Sequence, residues 1–182
     1  MLRILCLVLA FALAGCSRLD LADFDQATPR LELEQYFDGR LKAYGQFQDR
    51  FGQVKRRFVV DIDGQWDGST LTLNEDFVYD DGERETRVWT LQRTADGGWE
   101  GRAGGVVGTA TGRGAGNAFN WQYDFDLATD DGTLRLHFND WLFLQEDGVL
   151  LNRAYVSKFG INVGEVLISF FRQPTEAAAR TP

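Results

Sequence analysis

Three polar residues fall on strand faces that are otherwise predicted to be apolar. Their side chains are of kinds that can bind a ligand or transfer a proton. Glu75 and Asp140 supply carboxyl groups, and Asn152 supplies an amide. Burying an isolated carboxylate costs so much free energy that each buried carboxylate is expected to have a partner. The candidate partners in this sequence are Arg87, Arg153 and Lys158.

Buried carboxyl groups have two possible functional roles and one purely structural role. A polar patch inside an apolar cavity orients the headgroup of a ligand. A carboxyl group whose pKa is raised by burial acts as an acid or base, as in a lipid isomerase, hydratase or hydrolase. An ion pair with Arg87 would lower the pKa of Glu75, so Asp140 is the better acid-base candidate. The third interpretation is a structural network in a filled core.

Other catalytic patterns match the sequence poorly. His137 is the only histidine and falls on the polar face of its segment, so neither a histidine-rich metal site nor a Ser-His-Asp triad is indicated. The glycines between residues 101 and 116 do not fit the Gly-rich phosphate-binding motifs. We expect them to let strongly bent strands approach closely. The sequence therefore predicts no metal and no cofactor, and an enzyme is the less favoured hypothesis.

One hairpin, from Leu71 to Leu91, positions the first of these carboxyl groups. A three-residue loop, Asp80-Asp81-Gly82, with Gly82 in the left-handed conformation sets the register of its two strands. This register predicts a cross-strand ion pair between Glu75 and Arg87 on the apolar face. The predicted opposite pairs are Leu71 with Leu91, Leu73 with Trp89, Glu75 with Arg87, and Phe77 with Glu85.

Short alternating segments separated by Gly and Asp-Gly turns favour antiparallel strands throughout the chain. Because closure removes the exposed edges of a meander, we predict an all-β fold, an antiparallel meander that closes into a lipocalin-like barrel of about 8–10 strands. The predicted strands are 40–48, 54–62, 70–79, 85–94, 98–103, 106–112, 118–127, 133–144, 150–157 and 163–172. The turn signals are Asp63-Gly64, Asp67-Gly68, Asp81-Gly82, Asp96-Gly97-Gly98, Asp131-Gly132 and Asp147-Gly148.

The barrel is expected to have a plug at one end and an aromatic interior. Leu33, Tyr36 and Phe37 are spaced i, i+3 and i+4, which predicts a short N-terminal helix that closes one end. The strand at 118–127 places its aromatic residues on one face and polar residues on the other, as in a half-buried strand. The candidate ligand-binding residues are Glu75, Arg87, Trp89, Trp121, Tyr123, Asp140 and Asn152.

The composition excludes some partners. The formal net charge is −8, and such an acidic surface repels nucleic acid and anionic lipid headgroups. We therefore expect no nucleic-acid partner. The two cysteines, Cys6 and Cys16, both lie near the start of the chain, so the domain is expected to be stabilised by its apolar core without disulfides.

The beginning of the chain has the layout of a secretory signal, with Arg3, an apolar run over 4–12 and small residues before a cysteine. Leu13-Ala14-Gly15-Cys16 resembles the lipobox of bacterial lipoproteins, in which the cysteine is lipidated and begins the mature protein. By analogy with lipoprotein sorting, Ser17 favours export to the outer membrane. The predicted segments are a signal peptide at 1–15, a lipidated tether at 16–30, one β-barrel domain at 31–172 and a disordered tail at 173–182.

An ordered series of short motifs resembles a proteobacterial lipoprotein family of unknown function, the domain-of-unknown-function 3833 type. The resemblance implies a periplasmic, lipid-anchored protein. Members are often encoded near fatty-acid-modifying methyltransferases and flavin-dependent oxidoreductases, which implies a role in membrane-lipid modification or stress, but the resemblance supplies no catalytic residues. The motifs are GQFQDRFG at 45–52, EDFVYDDG at 75–82, RVW at 87–89, GNAF at 116–119, DW at 140–141, LNRA at 151–154 and SKFG at 157–160.

Gly64-Gln65-Trp66 matches the Gly-x-Trp motif of lipocalins. In lipocalins this motif belongs to the first barrel strand, whereas here a candidate strand at 54–62 already precedes it. The motif therefore agrees with a barrel without indicating membership of the lipocalins.

The leading hypothesis is a non-enzymatic lipoprotein that binds an apolar or amphipathic ligand, such as a fatty acyl group, at the periplasmic face of the outer membrane. Its partners would be the bilayer, through acylated Cys16, and the ligand, inside an aromatic barrel interrupted by polar groups. One alternative is a lipid-acting enzyme that uses a buried carboxylate. The other is an interaction protein with a filled barrel that docks to an envelope protein.

Overall fold

Ten antiparallel strands form a closed barrel in which each strand pairs with its neighbours along the chain and the first pairs with the last. The computed structural model describes residues 19–129 and 132–174. The all-β meander and its ten strands are confirmed. The strands are β1 (Gly39–Asp49), β2 (Val54–Trp66), β3 (Thr70–Tyr79), β4 (Arg84–Arg93), β5 (Trp99–Arg102), β6 (Val106–Ala115), β7 (Ala118–Thr129), β8 (Gly132–Leu144), β9 (Leu150–Lys158) and β10 (Ile161–Arg172).

The second strand is longer than the sequence pattern predicts. The expected turn at Asp63-Gly64 is wrong, because β2 continues to Trp66 and turns only at the following Asp67-Gly68. Gly64 serves close packing instead, since a methyl group at that position would overlap the Phe37 carbonyl oxygen. The Gly-x-Trp segment therefore ends β2, where the Trp66 and Trp99 rings pack edge to face.

The predicted register of the β3–β4 hairpin is confirmed. All four expected pairs are present, Gly82 has a φ of +88°, and its amide donates to the Tyr79 carbonyl over 3.0 Å. Since successive side chains alternate across a strand, this register directs Glu75 and Arg87 to the same side of the sheet. That side is the barrel interior, where both residues lie.

The barrel wall is incomplete beside β4. The short strand β5 pairs with β4 only along Thr90–Arg93, and with β6 only along Ala110–Gly112. The remaining stretch of β4, Arg84–Trp89, pairs with β3 on one side and has no partner on the other among the described strands. The interior is therefore open between β4 and the start of β6.

The opposite end of the barrel is closed by α1 (Leu33–Tyr36), which confirms the predicted helical plug. The buried hydroxyl of Tyr36 lies 3.1 Å from both the Gly148 and Phe170 carbonyl oxygens, and burial raises the pKa of Tyr36 to about 12. Phe37 packs edge to face on Phe170, with ring centroids 5.6 Å apart. These contacts tie the plug to β10 and to the β8–β9 loop.

Part of the tether that the sequence predicts at 16–30 contacts the outer wall of the barrel. A 3₁₀ helix, Leu21–Phe24, is capped by the Asp20 side chain, and its Phe24 ring lies 5.2 Å from that of Phe143. Gly116 allows this approach, since a side chain there would overlap the Phe24 carbonyl. The predicted tether therefore contacts the barrel wall at Phe24 and Ala27.

Both ends of the chain extend past the region that can be described. The lipobox at 13–16 and residues 175–182 of the predicted tail lie outside the described residues. Gln173, at the start of that tail, still donates its amide to the Arg40 carbonyl over 2.8 Å. Over 19–129 and 132–174, the structure contains no helix with the length and apolar character needed to span a bilayer.

Tyr36→Phe should weaken the plug. The variant removes a buried hydroxyl donor and leaves the Gly148 and Phe170 carbonyls without it, which should lower the free energy of unfolding by about 1 kcal/mol. Urea unfolding measures this change. Tyr44→Phe is the matched control, because the Tyr44 ring is half exposed and its hydroxyl bonds to no residue of the described chain. Equal effects of the two substitutions would contradict the role given to Tyr36.

Candidate ligand-binding site

A cavity of about 1100 Å³ runs through the barrel interior. This volume lies near the upper end of the roughly 300–1,000 Å³ found for small-molecule sites. Inward-facing side chains of nearly every strand line the cavity, and Leu33 and Phe37 of the plug region form its closed end. All seven ligand-binding candidates from the sequence line this one cavity: Glu75, Arg87, Trp89, Trp121, Tyr123, Asp140 and Asn152.

Aromatic rings form much of the cavity wall. Trp89 packs edge to face on Trp121 and on Tyr123, with centroid separations of 5.9 and 5.4 Å. Tyr123 stacks on Phe138 of the neighbouring strand, with an interplanar angle of 1°. These pairs link β4 to β7 and β8 across the barrel. They give the middle of the cavity an apolar, polarisable surface.

The Trp121 ring fits because glycines lie beneath it. A methyl group built on Gly101 would lie 2.8 Å from this ring, and one on Gly112 would lie 2.6 Å from the Asn120 carbonyl oxygen and clash with the ring. Gly105 makes the same room for Phe125, at 2.5 Å. The sequence interpretation of these glycines, close approach rather than phosphate binding, agrees with these contacts.

Arg87 and Glu85 form an ion pair on the cavity wall. The Arg87 Nη2 donates to Glu85 Oε1 over 2.6 Å, and the Tyr79 hydroxyl donates to Glu85 Oε2 over 2.8 Å. The guanidinium also lies over the Phe77 and Phe125 rings, 5.0 and 4.9 Å from their centroids. The geometry therefore leaves Arg87 held by one carboxylate and two rings.

The predicted Glu75–Arg87 ion pair is wrong. Although the two residues are opposite each other in the register, Arg87 turns to Glu85, which lies two residues away on the same face of β4. Glu75 has no hydrogen bond or ion pair with any described residue, and its carboxyl group faces the cavity. Burial raises the pKa of Glu75 to about 7, against the opposing effect of the Arg87 charge.

Asp140 finds a different partner from those expected. The Tyr123 hydroxyl lies 3.5 Å from Asp140 Oδ2, whereas Oδ1 is buried without a partner. Burial raises the pKa of Asp140 to about 7; the bond from Tyr123 lowers it and the nearby Glu75 carboxylate raises it further. The suggested partner Arg153 instead pairs with Glu165 on the outer face, at 2.6 Å, and Lys158 lies by Phe159.

The other polar residues considered from the sequence are Asn152 and His137. Asn152 is buried, with 6% of its surface exposed, and faces the cavity. His137 lies on the outer face as predicted, with Nδ1 2.8 Å from Asp124 Oδ1. Within the described part of the chain, no three His, Cys, Asp or Glu side chains are arranged to hold a metal ion.

Sequence reasoning missed several members of the site. The hairpin register gives Glu85 only as the residue opposite Phe77, although its position two residues from Arg87 on one face is a usable signal. Tyr79 falls at a predicted strand end, where the pattern gives it no role. The missed aromatic residues of the cavity include Phe77, Phe125 and Phe138.

The cavity opens where the barrel wall is incomplete. Its lining continues through Glu83 and the first residues of β4, Gly104 and Gly105 before β6, and Asp126–Thr129 at the end of β7. These are the segments on either side of the gap beside β4. A ligand therefore has a route from solvent to the polar groups in the interior.

Taken together, the fold and the cavity define a closed, lipocalin-like β-barrel with a large interior cavity. The chain belongs to the family described as "Protein of unknown function (DUF3833)", whose sequence model matches residues 10–172. No curated protein matches it significantly.

Solved structures resemble the fold at low sequence identity. The S-type phycobiliprotein lyase CPES from Guillardia theta is 10% identical, with a TM-score of 0.60 over 87% of this chain and 99% of its own. A de novo designed fluorescence-activating β-barrel is 14% identical, with a TM-score of 0.42 over 79% of this chain and 99% of its own. The likeness to the lyase shows the fold alone.

Gly112→Ala should disturb the Trp121 side of the cavity. The added methyl group has no room between the Trp121 ring and the Asn120 carbonyl, so the free energy of unfolding should fall by about 1–3 kcal/mol. In the same glycine-rich segment, a methyl group on Gly104 meets no atom within 4 Å. Gly104→Ala is thus the control, with a change within about 0.5 kcal/mol. Denaturant unfolding that ranked the two variants the other way would contradict this packing.

The two raised carboxyl pKa values should appear in the pH dependence of stability. Glu75 and Asp140 have pKa values of about 7 in the native state, against 4.5 and 3.8 ordinarily. From about pH 4 to pH 7 the native state therefore binds more protons than the unfolded state, so their contribution to the free energy of unfolding falls as pH rises. The double variant Glu75→Gln with Asp140→Asn should gain stability relative to the parent over this range.

Urea unfolding at several pH values tests that expectation. Asp76→Asn serves as the control, because Asp76 is exposed on the outer face of the same strand. A stability difference between parent and double variant that stayed constant with pH would show that these pKa values are not raised.

Proposed function

We propose that this protein binds an apolar or amphipathic ligand, a fatty acyl or lipid molecule, inside its barrel. The observation that carries the proposal is the aromatic interior cavity of about 1100 Å³ with polar groups on its wall. Burying an apolar chain among these rings is favourable by about 25 cal/mol per Å² of apolar surface. The polar groups around Glu75 and Asp140 would then fix the position of the headgroup.

The route of entry supports this proposal. The gap beside β4 opens the cavity to solvent on one side, while α1 closes the other end. A long molecule can therefore enter through the gap and place its apolar part against the plugged end. The support comes from this chain's own cavity, since the phycobiliprotein lyase contributes only the similarity of fold.

The membrane setting forms the second part of the proposal. The lipobox ending at Cys16 would place an acylated cysteine at the start of the mature chain, and Ser17 favours the outer membrane, so that the barrel works at its periplasmic face. Leu19 is only three residues from Cys16, and residues 21–24 pack on the outer wall. This short connection would hold the barrel close to the bilayer. A role in membrane-lipid modification or stress follows from the family resemblance.

A lipid-acting enzyme is the second candidate. The observation in its favour is the pair of cavity carboxyl groups with pKa values of about 7, a range suited to proton transfer near neutral pH. The other alternative, a filled barrel that acts only through its surface, does not fit an interior with a cavity of this volume.

Amphiphiles brominated on the chain should quench the intrinsic fluorescence of the purified protein. Of the five tryptophans, Trp89 and Trp121 line the cavity, and bromine quenches tryptophan only at close contact. We expect quenching by a brominated fatty acid or fatty alcohol and none by the unbrominated parent.

Tryptophan variants show which residues produce the quenching. Replacing Trp89 and Trp121 by Phe should abolish most of the quenching, whereas Trp141→Phe, on the outer wall beneath Phe24, should leave it. No quenching by any chain would refute cavity binding. Mass spectrometry of the recovered amphiphile separates the two candidates, because a chemically altered product would favour the enzyme.

Cys16→Ser tests the proposed anchor. Stable anchoring needs more than one acyl chain, and an acylated lipoprotein cysteine would supply three. The variant should therefore leave the membrane fraction or accumulate as an unprocessed precursor. The adjacent substitution Ser17→Ala is the control for processing itself. Undiminished membrane fractionation of Cys16→Ser would contradict the anchor and leave ligand binding untouched.

A further inference from the structure

The cavity holds more acidic groups than its cations balance. Glu75, Glu85 and Asp140 line the cavity together with one interior guanidinium, that of Arg87. Arg87 is already bonded to Glu85 at 2.6 Å. Among the described residues, no Lys or Arg nitrogen lies within 4.0 Å of the carboxyl oxygens of Glu75 or Asp140. Three carboxyl groups against one guanidinium leave a net charge of −2 when all four are ionised.

The other cationic side chains that line the cavity lie near its opening. Arg56 is paired with Asp81 and Glu83, and Arg84 is exposed to solvent. Neither reaches the two interior carboxyl groups. The deficit of positive charge is therefore confined to the part of the cavity around Glu75 and Asp140.

Aromatic rings lie beside this acidic region. The Tyr123 hydroxyl contacts Asp140, its ring stacks on Phe138 at 5.1 Å, and Trp89 packs against it from across the barrel. Aromatic faces attract cations through their negative π surface, most strongly when the site is desolvated. Carboxyl groups and aromatic faces together form the pattern that binds ammonium ions.

We propose that the ligand's polar end is a cation, a protonated amine or a quaternary ammonium group carried on a single alkyl or acyl chain. This inference rests on the proposed function, because it assumes a chain in the apolar part of the cavity. The ammonium group lies between the Glu75 and Asp140 carboxyl groups, against the faces of the nearby rings. Its charge supplies the cationic partner that neither carboxyl group has among the described residues.

A carboxylate headgroup fits the same place poorly. It would add a negative charge beside Glu75 and Asp140, and the one interior guanidinium is engaged by Glu85. Burial raises the pKa of Glu75 and of Asp140 to about 7, so near neutral pH both groups respond to a bound charge. Beside Arg87, Glu85 and Tyr123, a bound cation favours the ionised form of Glu75 and Asp140, so its binding releases protons. A bound anion favours the protonated form of both groups, so its binding takes protons up.

Three amphiphiles with the same chain test the charge of the headgroup. Dodecyltrimethylammonium, dodecanol and dodecanoate are titrated into the full chain by calorimetry at pH 7, below the concentrations at which they form micelles. We expect dodecyltrimethylammonium to bind about tenfold more tightly than dodecanol and dodecanoate to bind most weakly. Repeating the titration in buffers of different ionisation enthalpy should show proton release with the ammonium compound.

Variants assign that preference to the two carboxyl groups. In Glu75→Gln with Asp140→Asn, the affinity ratio of dodecyltrimethylammonium to dodecanol should fall to about one, and proton release should disappear. Dodecanol binding shows that the variant keeps its cavity. If the double variant does not fold, Glu75→Gln alone should lower the ratio. Asp76→Asn, on the outer face of the same strand, should leave both quantities unchanged.

The titration results distinguish a failure of the cationic headgroup from a failure of ligand binding in the cavity. If dodecanol binds and the ammonium compound binds no more tightly than dodecanol, the cationic headgroup is refuted and cavity binding stands. If the ratio survives in the double variant, the assignment to Glu75 and Asp140 is wrong. If none of the three compounds binds, the proposed function fails together with the inference.

Discussion

The pairing of β1 with β10 is the interaction on which the rest of the structure depends. It closes the sheet, and closure assigns alternate residues of every strand to the interior. A barrel of ten strands encloses more space than one of eight, and its side chains leave a cavity of about 1100 Å³. The short strand β5 then limits closure locally, so the same architecture that forms the cavity also leaves its opening beside β4.

Closure also explains why the polar residues of the interior meet. Glu75 and Arg87 belong to the β3–β4 hairpin and Asp140 lies far along the chain on β8, yet all three face one enclosed space. There the aromatic walls replace water around the carboxyl groups, which raises the pKa of Glu75 and of Asp140. Inward carboxyl groups without a cation cost stability. Departures of this kind from ordinary core composition are typical of functional sites.

Much of the fold could be predicted because local chemistry and global closure agree. The Asp80-Asp81-Gly82 loop alone sets the β3–β4 register, and alternation alone identifies Tyr123 and Asp140 as inward. Local sequence patterns were insufficient where the same residues also make packing contacts. Gly64 looks like a turn residue but provides space for the Phe37 backbone, and residues 19–30 look like a polar linker although Phe24 packs on the wall.

Alternation and turn residues within a few positions specify the strands, the hairpin register and which side chains face inward, so these features could be predicted from the sequence. The partners of the inward polar side chains are set by the folded barrel. Arg87 bonds to Glu85 and not to Glu75, and Asp140 meets Tyr123 and not a basic residue. Those choices depend on the directions that side chains take across a curved, closed wall and on the rings that surround them. A one-dimensional pattern carries neither quantity, and it cannot show how much of the interior is left empty.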